Sequence, residues 1–341
     1  MSARWRNGLA SLLAALAMAC VAATPPAAAL PGAAAPMPSG EGSPIADASA
    51  EAFWWADFDQ LEAQFNAVRS SPDLADGGVL PLQFFRSGLT RVFSRDDEHD
   101  AYYAQLEALT HGWATQHPQS VLAQLLYARA LYARAMNLRG HEYAYETPPA
   151  AMKAFQHYLG LAEAQLADHA DLLKNESTAD LYRVMFARWH MPYEDIHTIA
   201  MQGIAKNRRD VGIFEELALS GLPRWGGSAE RFDEIVHEAV RKVDGYPGMA
   251  LYAWLYDDDS QLFQGEMFRT SNVDWPTLRQ GFRDYLARYP NAYLLNRFAL
   301  QACLAQDKPT TLELLERIGA KPSERAWDNR LDTCRSWARS P

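Results

Sequence analysis

The sequence predicts an all-α fold. Valine and isoleucine together number only 18 of the 341 residues, whereas the core of a β-sheet favours β-branched side chains. Apolar residues recur at three- and four-residue steps, as they do along Trp54, Phe58, Leu61, Phe65 and Val68. No segment shows a sustained alternation with a period of two. We therefore predict about 13 helices that pair as antiparallel hairpins.

Residues 1–23 have the pattern of an export signal. Two arginines precede an apolar stretch of alanine and leucine, and small residues follow where a signal peptidase would cut, after Ala23 or after Ala29. In the alternative interpretation the apolar stretch ends in a degenerate lipobox, and Cys20 becomes a lipid-anchored N-terminus. Both interpretations predict an exported, periplasmic protein. The apolar stretch is too short to predict a membrane span.

The rest of the chain divides into a tether and one folded domain. Residues 24–50 are mainly alanine, proline, glycine and serine without periodicity, which predicts a flexible tether. Residues 51–338 are predicted to form an all-helical, repeat-like domain. The formal charge is −10, from 42 acidic and 32 basic residues. This acidic balance argues against nucleic acid as a partner, because phosphates require a basic surface.

Turn-forming residues separate the helical segments. Pro72, Pro118 and the segment 223–227 interrupt the apolar periodicity, Ser228 is a favourable N-cap, and Gly319 stands where a C-cap glycine belongs. Helices are accordingly predicted at residues 54–68, 80–92, 102–113, 121–138, 150–173, 177–189, 193–206, 211–222, 229–243, 249–256, 275–288, 292–305 and 310–318, with a last one ending near Trp337.

Three segments share one pattern, an aromatic ring and a proline directly before a helix. They are His117-Pro118, Tyr246-Pro247 and Tyr289-Pro290. The last continues with small residues at four-residue intervals, a turn acid and a second amphipathic helix, which is typical of a tetratricopeptide-like unit. The strict repeat period of such proteins is absent. We therefore predict an irregular α-solenoid of helix hairpins rather than a regular array.

Beyond Cys20, the chain contains only Cys303 and Cys334. Two cysteines in an exported protein are typical of a single disulfide, and the alternative is a pair of buried free thiols. A metal site at this pair is disfavoured, because structural zinc requires four ligands.

Several stretches carry a family resemblance. They are Leu138-Arg139-Gly140 with the helix that follows it, Leu222-Pro223-Arg224-Trp225-Gly226-Gly227-Ser228, Tyr289-Pro290, and the terminal Cys334-Arg335-Ser336-Trp337-Ala338. Together they resemble a family of uncharacterised bacterial helical proteins that carry a domain of unknown function, often beside tetratricopeptide-like repeats. The resemblance covers Phe53 to Ala338. It implies a helical fold and no catalytic residues, and the bulky side chains after Gly140 depart from the family pattern.

No motif forms a catalytic signature. His141-Glu142 and His237-Glu238 begin like a zinc-protease motif but lack its second histidine. His190 and His197 lie near two acids, as metal ligands would, but exposed histidines at helix ends are the simpler interpretation. Asp257-Asp258-Asp259 lacks the ligand spacing of a calcium loop and predicts a solvated loop. We predict no metal and no cofactor, assign no catalytic residue, and favour a binding protein over an enzyme, with an enzyme kept as an alternative.

Two polar-aromatic loops form the predicted contact surface. Their candidate partner-binding residues are Arg139, His141, Tyr143 and Tyr145 in the first loop, and Arg224 and Trp225 in the second. Arginine and aromatic side chains are enriched at interaction hot spots. A structural role is the alternative, in which Trp225 caps a helix pair and Arg224 satisfies the last carbonyls.

These observations lead to one main functional hypothesis and two alternatives. We predict an exported helical-repeat protein that binds a protein or peptide on its concave face, as extended helical stacks commonly do. The first alternative is an envelope hydrolase that uses carboxylates in the groove. The second is an immunity or inhibitor protein for a secreted toxin, steered to a basic partner by its acidic surface.

Overall fold

The structure is a computed structural model, and it describes residues 43–340 except residues 72, 76, 96–98, 259, 261–262 and 264–265. This part of the chain forms α-helices and contains no β-strand, which confirms the predicted all-α class. The helices are α1 (Pro44–Trp54), α2 (Phe58–Val68), α3 (Pro81–Phe93), α4 (Asp100–Gln116), α5 (Val121–Arg139), α6 (Pro149–Asp168), α7 (Ala170–Leu173), α8 (Ser177–Ala187), α9 (Tyr193–Lys206), α10 (Gly212–Gly221), α11 (Ala229–Lys242), α12 (Ala250–Asp258), α13 (Met267–Thr270), α14 (Trp275–Arg288), α15 (Ala292–Leu304), α16 (Lys308–Ile318) and α17 (Leu331–Arg339). The predicted leader, with Cys20, lies outside the described residues.

The first helix corrects the predicted boundary between tether and domain. Helix α1 begins at Pro44, so residues 44–50 are helical although they were assigned to the tether. Ser43 caps this helix, because its hydroxyl accepts a hydrogen bond from the Ile45 N–H. Ala46 and Ala50 are buried, and this packing stabilises a segment whose composition alone indicates a linker.

The stripe from Trp54 to Val68 belongs to two helices rather than the single predicted one. The chain turns between α1 and α2, where Ala56 adopts a φ of +53°. Asp57 then caps α2 by accepting a hydrogen bond from the Gln60 N–H at 3.1 Å. The four-residue step from Trp54 to Phe58 imitates a continuous helix face across this turn.

The helices pack mainly against their neighbours in the chain. The contacting pairs include α4 with α5, α5 with α6, α8 with α9, α10 with α11, and α15 with α16. Connections of three to five residues join α4 to α5, α8 to α9, and α15 to α16, which is typical of antiparallel hairpins. Two hydrophobic cores result, and α8 joins them, with Phe186 in the first core and Val184 in the second. A superhelical solenoid form stays a prediction.

The predicted disulfide is confirmed. Cys303 in α15 and Cys334 in α17 are bonded, and their Cα atoms lie 5.8 Å apart. The bridge closes a loop with a sequence separation of 31 and ties the last helix to the second core.

Loss of this bridge should weaken the fold measurably. We expect the Cys303→Ala/Cys334→Ala variant to lose about 3–4 kcal/mol in the free energy of unfolding, because a disulfide restricts the unfolded chain and loops of this length give such values. Urea unfolding of the variant and of the wild type, with and without reductant, measures the loss. A difference below about 1 kcal/mol would contradict the expectation.

Candidate binding site

The two predicted contact loops lie side by side. The Arg224 guanidinium carbon is 5.5 Å from the centroid of the Tyr143 ring. Tyr143 in turn stacks on Tyr145, with centroids 5.5 Å apart and planes inclined by 9°. Tyr143 is 48% exposed and Tyr145 is 82% exposed. Exposed aromatic rings that stack on each other form a contiguous apolar patch, and such patches are a feature of interaction sites.

Trp189 connects the two loops, and sequence reasoning missed it. The Arg139 guanidinium carbon lies 4.9 Å from the Trp189 ring centroid. The Trp189 ring meets Trp225 edge to face, at 4.6 Å between centroids. We refer to six residues together as the arginine–aromatic surface: Arg139, Tyr143, Tyr145, Trp189, Arg224 and Trp225.

The cations of this surface are not neutralised by nearby acids. Across the described part of the chain, neither Arg139 nor Arg224 forms an ion pair, and Arg224 donates no hydrogen bond to a helix carbonyl. Burial and the neighbouring Arg224 cation both lower the pKa of Arg139. Arg139 and Arg224 thus lie close together without ion pairs, although the loop of Arg139 also carries the exposed acids Glu142 and Glu146.

A cavity of about 640 Å³ adjoins this surface. His141, from the first predicted loop, lines the cavity, and so does Tyr132, whose hydroxyl accepts a hydrogen bond from Trp189 Nε1 at 2.9 Å. Its walls come from α3, α5, α8 and α10. This volume lies within the range of small-ligand pockets.

Arg129 is the buried cation of the cavity. It is 8% exposed, and its guanidinium lies between the rings of Phe93 and Tyr132, 5.6 and 5.5 Å from their centroids. Its Nη2 donates to Ser94 Oγ at 2.8 Å. No carboxylate of the described residues pairs with it. A buried arginine ordinarily has an anionic partner, so the cavity is prepared for an anion.

The other arginine deep in the cavity wall is already paired. Arg86, which is 9% exposed, donates to the fully buried Asp210 from both terminal nitrogens, at 2.8 and 2.6 Å. Asp210 also accepts from the Gly212 N–H at 3.1 Å. Arg86 therefore braces α3 against α10 and is not available to a ligand.

Glu215 lines the same cavity and lacks a cationic partner within ion-pairing distance. Its carboxylate accepts hydrogen bonds from Gln83 Nε2 at 3.0 Å and from Trp254 Nε1 at 2.7 Å. Burial, together with the nearby Asp258 carboxylate, raises the pKa of Glu215 to about 8. The group is therefore largely protonated at neutral pH.

This raised pKa predicts a pH dependence of stability. Between about pH 5 and 8 the unfolded chain has lost the Glu215 proton while the folded chain retains it, so the free energy of unfolding falls as pH rises. We expect the Glu215→Gln variant to lack that fall, which has a slope of up to roughly 1 kcal/mol per pH unit. Urea unfolding of both proteins across this range measures the difference. Parallel pH profiles for the two would contradict the expectation.

Asp257 does not belong to the solvated loop predicted for the acidic run, whereas Asp258 is exposed at the end of α12 and residue 259 lies outside the described residues. Asp257 is 9% exposed and accepts hydrogen bonds from Arg297 Nε at 3.1 Å and from Gln301 Nε2 at 2.7 Å. Asp258 lines a second cavity, of about 410 Å³. Glu215 and Asp258 line different cavities, although the Asp258 carboxylate is near enough to raise the pKa of Glu215.

The two histidines considered as metal ligands pair with different acids. His190 Nε2 lies 2.6 Å from Glu163 Oε1, and His197 Nε2 lies 2.7 Å from Glu238 Oε2. Within the described ranges, no three histidine, cysteine or acidic side chains converge as a metal site.

The comparisons with known proteins identify no family, so the protein is classified by its all-α fold alone. No family model matches the chain, and no curated protein or solved structure matches it significantly. The resemblance to uncharacterised bacterial helical proteins therefore stays a hypothesis. Among the described helices, none has the length and apolar character needed to cross a membrane.

Proposed function

We propose that this is an exported helical-repeat protein that binds a protein or peptide through the arginine–aromatic surface. The observation that carries the proposal is the convergence of two loops more than 80 residues apart, which place Arg224 over Tyr143. Unpaired arginines beside exposed aromatic rings are the composition of interaction hot spots. The guanidinium groups of Arg139 and Arg224, which form no ion pair among the described residues, favour a partner segment that carries acidic groups.

A groove next to Trp225 extends the surface available to such a partner. It has a volume of about 480 Å³ and includes Met191, which is 37% exposed. Arg231 and Tyr193 also line this groove, and the Arg231 guanidinium carbon lies over the Tyr193 ring, 4.0 Å from its centroid. Flexible methionine beside rigid aromatic rings suits an adaptable protein contact.

Site-specific photo-crosslinking tests the proposal in living cells. Tyr145→p-benzoylphenylalanine places the reactive group at the most exposed ring of the surface, and Leu312→p-benzoylphenylalanine, at a residue 40% exposed in α16, is the matched control. We expect a light-dependent adduct from position 145 that Arg224→Ala strongly reduces, and none from position 312. No adduct from position 145, or the same adduct from both positions, would contradict the proposal.

Export is the second part of the proposal, and its support is the predicted leader. The intact mass of the protein isolated from cells tests it. We expect a chain that begins at Thr24 or Leu30, or a lipid-modified chain that begins at Cys20. A full-length cellular protein that retains residues 1–23 would contradict export.

A further inference from the structure

The cavity carries a buried cation and a largely protonated acid, and neither group has an ion-pair partner among the described residues. Arg129 is a buried cation without an acid, and Glu215 is an acid without a paired cation. Both line one space of about 640 Å³. The neighbouring charged residues Arg86 and Glu216 are already paired, with Asp210 and Arg188.

Helix α3 carries the hydrogen-bond partners of the two groups at or near its opposite ends. Arg129 bonds to Ser94, directly after the C-terminal end of α3, whereas Glu215 bonds to Gln83 in its first turn. These two contact points are separated by roughly 16 Å along the helix, at about 1.5 Å per residue. An extended peptide advances about 3.3 Å per residue, so four or five residues span this distance.

The aromatic lining matches a peptide rather than a simple anion. The Arg129 guanidinium lies between the rings of Phe93 and Tyr132 and makes one hydrogen bond, to Ser94, so it retains N–H groups that can donate to a carboxylate. Tyr182 and Met185 from α8 also line the cavity and offer apolar contacts for side chains. A single small anion would fill only a small part of the 640 Å³.

We infer that the cavity binds a short peptide of four or five residues with free ends, its terminal carboxylate on Arg129 and its amino group near Glu215. The inference rests on the proposed function, since it names the ligand class of the site beside the arginine–aromatic surface. His141 lines the cavity, and Tyr143 and Tyr145 follow it in the same loop, so the cavity and the arginine–aromatic surface share one loop. The amino group of the ligand supplies the cation that Glu215 lacks.

Equilibrium dialysis with peptide pools tests this assignment. The probes are random pentapeptide pools in three forms, with free ends, with an amidated C-terminus, and with an acetylated N-terminus. Mass spectrometry of the retained peptides measures binding. We expect the wild type to retain the free-ended pool about tenfold or more over the amidated pool, because a charge-assisted bidentate contact is lost on amidation. The acetylated pool should also be retained less than the free-ended pool.

Three variants assign the effect to named groups. Arg129→Gln should abolish the preference for the free carboxylate, and Glu215→Gln should reduce only the preference for the free amine. Arg134→Gln is the matched control, since Arg134 lies on the same helix and pairs with Glu107 at 2.5 Å, away from the cavity lining. It should behave as the wild type.

Two results would overturn the inference. One is equal retention of the free-ended and amidated pools by the wild type. Retention of neither pool counts as this result. The comparison uses the wild type alone and therefore does not depend on the folding of a variant. The other is the same loss of preference in Arg134→Gln as in Arg129→Gln. Either result can occur while Tyr145→p-benzoylphenylalanine still captures a partner, so failure of the inference is distinguishable from failure of the proposed function.

Discussion

Replacing Arg86 by methionine lowers the free energy of unfolding by about 3–5 kcal/mol, the range observed when one member of a buried ion pair is removed. Asp210 is fully buried, so its carboxylate would lose both guanidinium hydrogen bonds without access to water. Burial alone would raise the pKa of Asp210, but Arg86 and the hydrogen bonds from Ser177 and Gly212 lower it below its ordinary value.

Urea unfolding followed by circular dichroism measures this effect. The matched control is Arg91→Met on the same helix, because Arg91 pairs with Asp47 where both side chains are at least 25% exposed. Such a pair contributes at most about 1 kcal/mol. If Arg86→Met lost no more free energy of unfolding than the control, the proposed role of Arg86 in holding α3 against the start of α10 would be contradicted.

The second large effect is expected at Arg297, which is 4% exposed in α15. Its guanidinium holds three parts of the chain together, with Nε on Asp257 at 3.1 Å, Nη2 on Ser260 Oγ at 3.0 Å, and Nη1 on Asp328 at 2.8 Å. Arg297→Met should therefore cost about 3–5 kcal/mol, because it leaves Asp257 buried without its cation.

Limited proteolysis adds a local measurement to the unfolding experiment. Loss of Arg297 releases the segment Glu324–Trp327, whose Ala326 carbonyl accepts from Arg297 Nη1 at 3.2 Å. We expect cleavage in this segment before global unfolding. Arg317→Met on α16, where the side chain is 52% exposed, is the control. Equal stability and equal cleavage in the two variants would contradict the predicted role of Arg297.

The all-helical class and many helix boundaries could be predicted from the sequence, because they depend on local periodicity and capping. Helices α9 and α14 have the predicted bounds, Tyr193–Lys206 and Trp275–Arg288. Errors arose where a local pattern is ambiguous. The apolar stripe through Trp54 and Phe58 continues across a turn, so it predicts one helix where there are two. The alanine-rich composition of α1 indicates a linker, and only the burial of these alanines shows that they belong to the domain.

The binding site could be predicted only in part. The residue types of the two loops indicated a contact surface, but their contact across Trp189 depends on how α8 packs, which no local pattern encodes. Arg129 left one usable signal, since it is the single charged residue in the largely apolar first two thirds of α5, residues 121–133. Asp257 was misassigned because its partner, Arg297, lies 40 residues further along the chain.

The central claim is that a protein or peptide binds to the arginine–aromatic surface. It is tested most directly by the affinity of this protein for the partner that is captured at position 145. The measurement compares the wild type with Arg224→Ala and with Arg317→Ala, a control at an exposed arginine of α16. The account predicts that Arg224→Ala weakens binding by about tenfold or more, as expected of an arginine hot spot, while Arg317→Ala retains the wild-type dissociation constant. Equal affinities for all three proteins would contradict it.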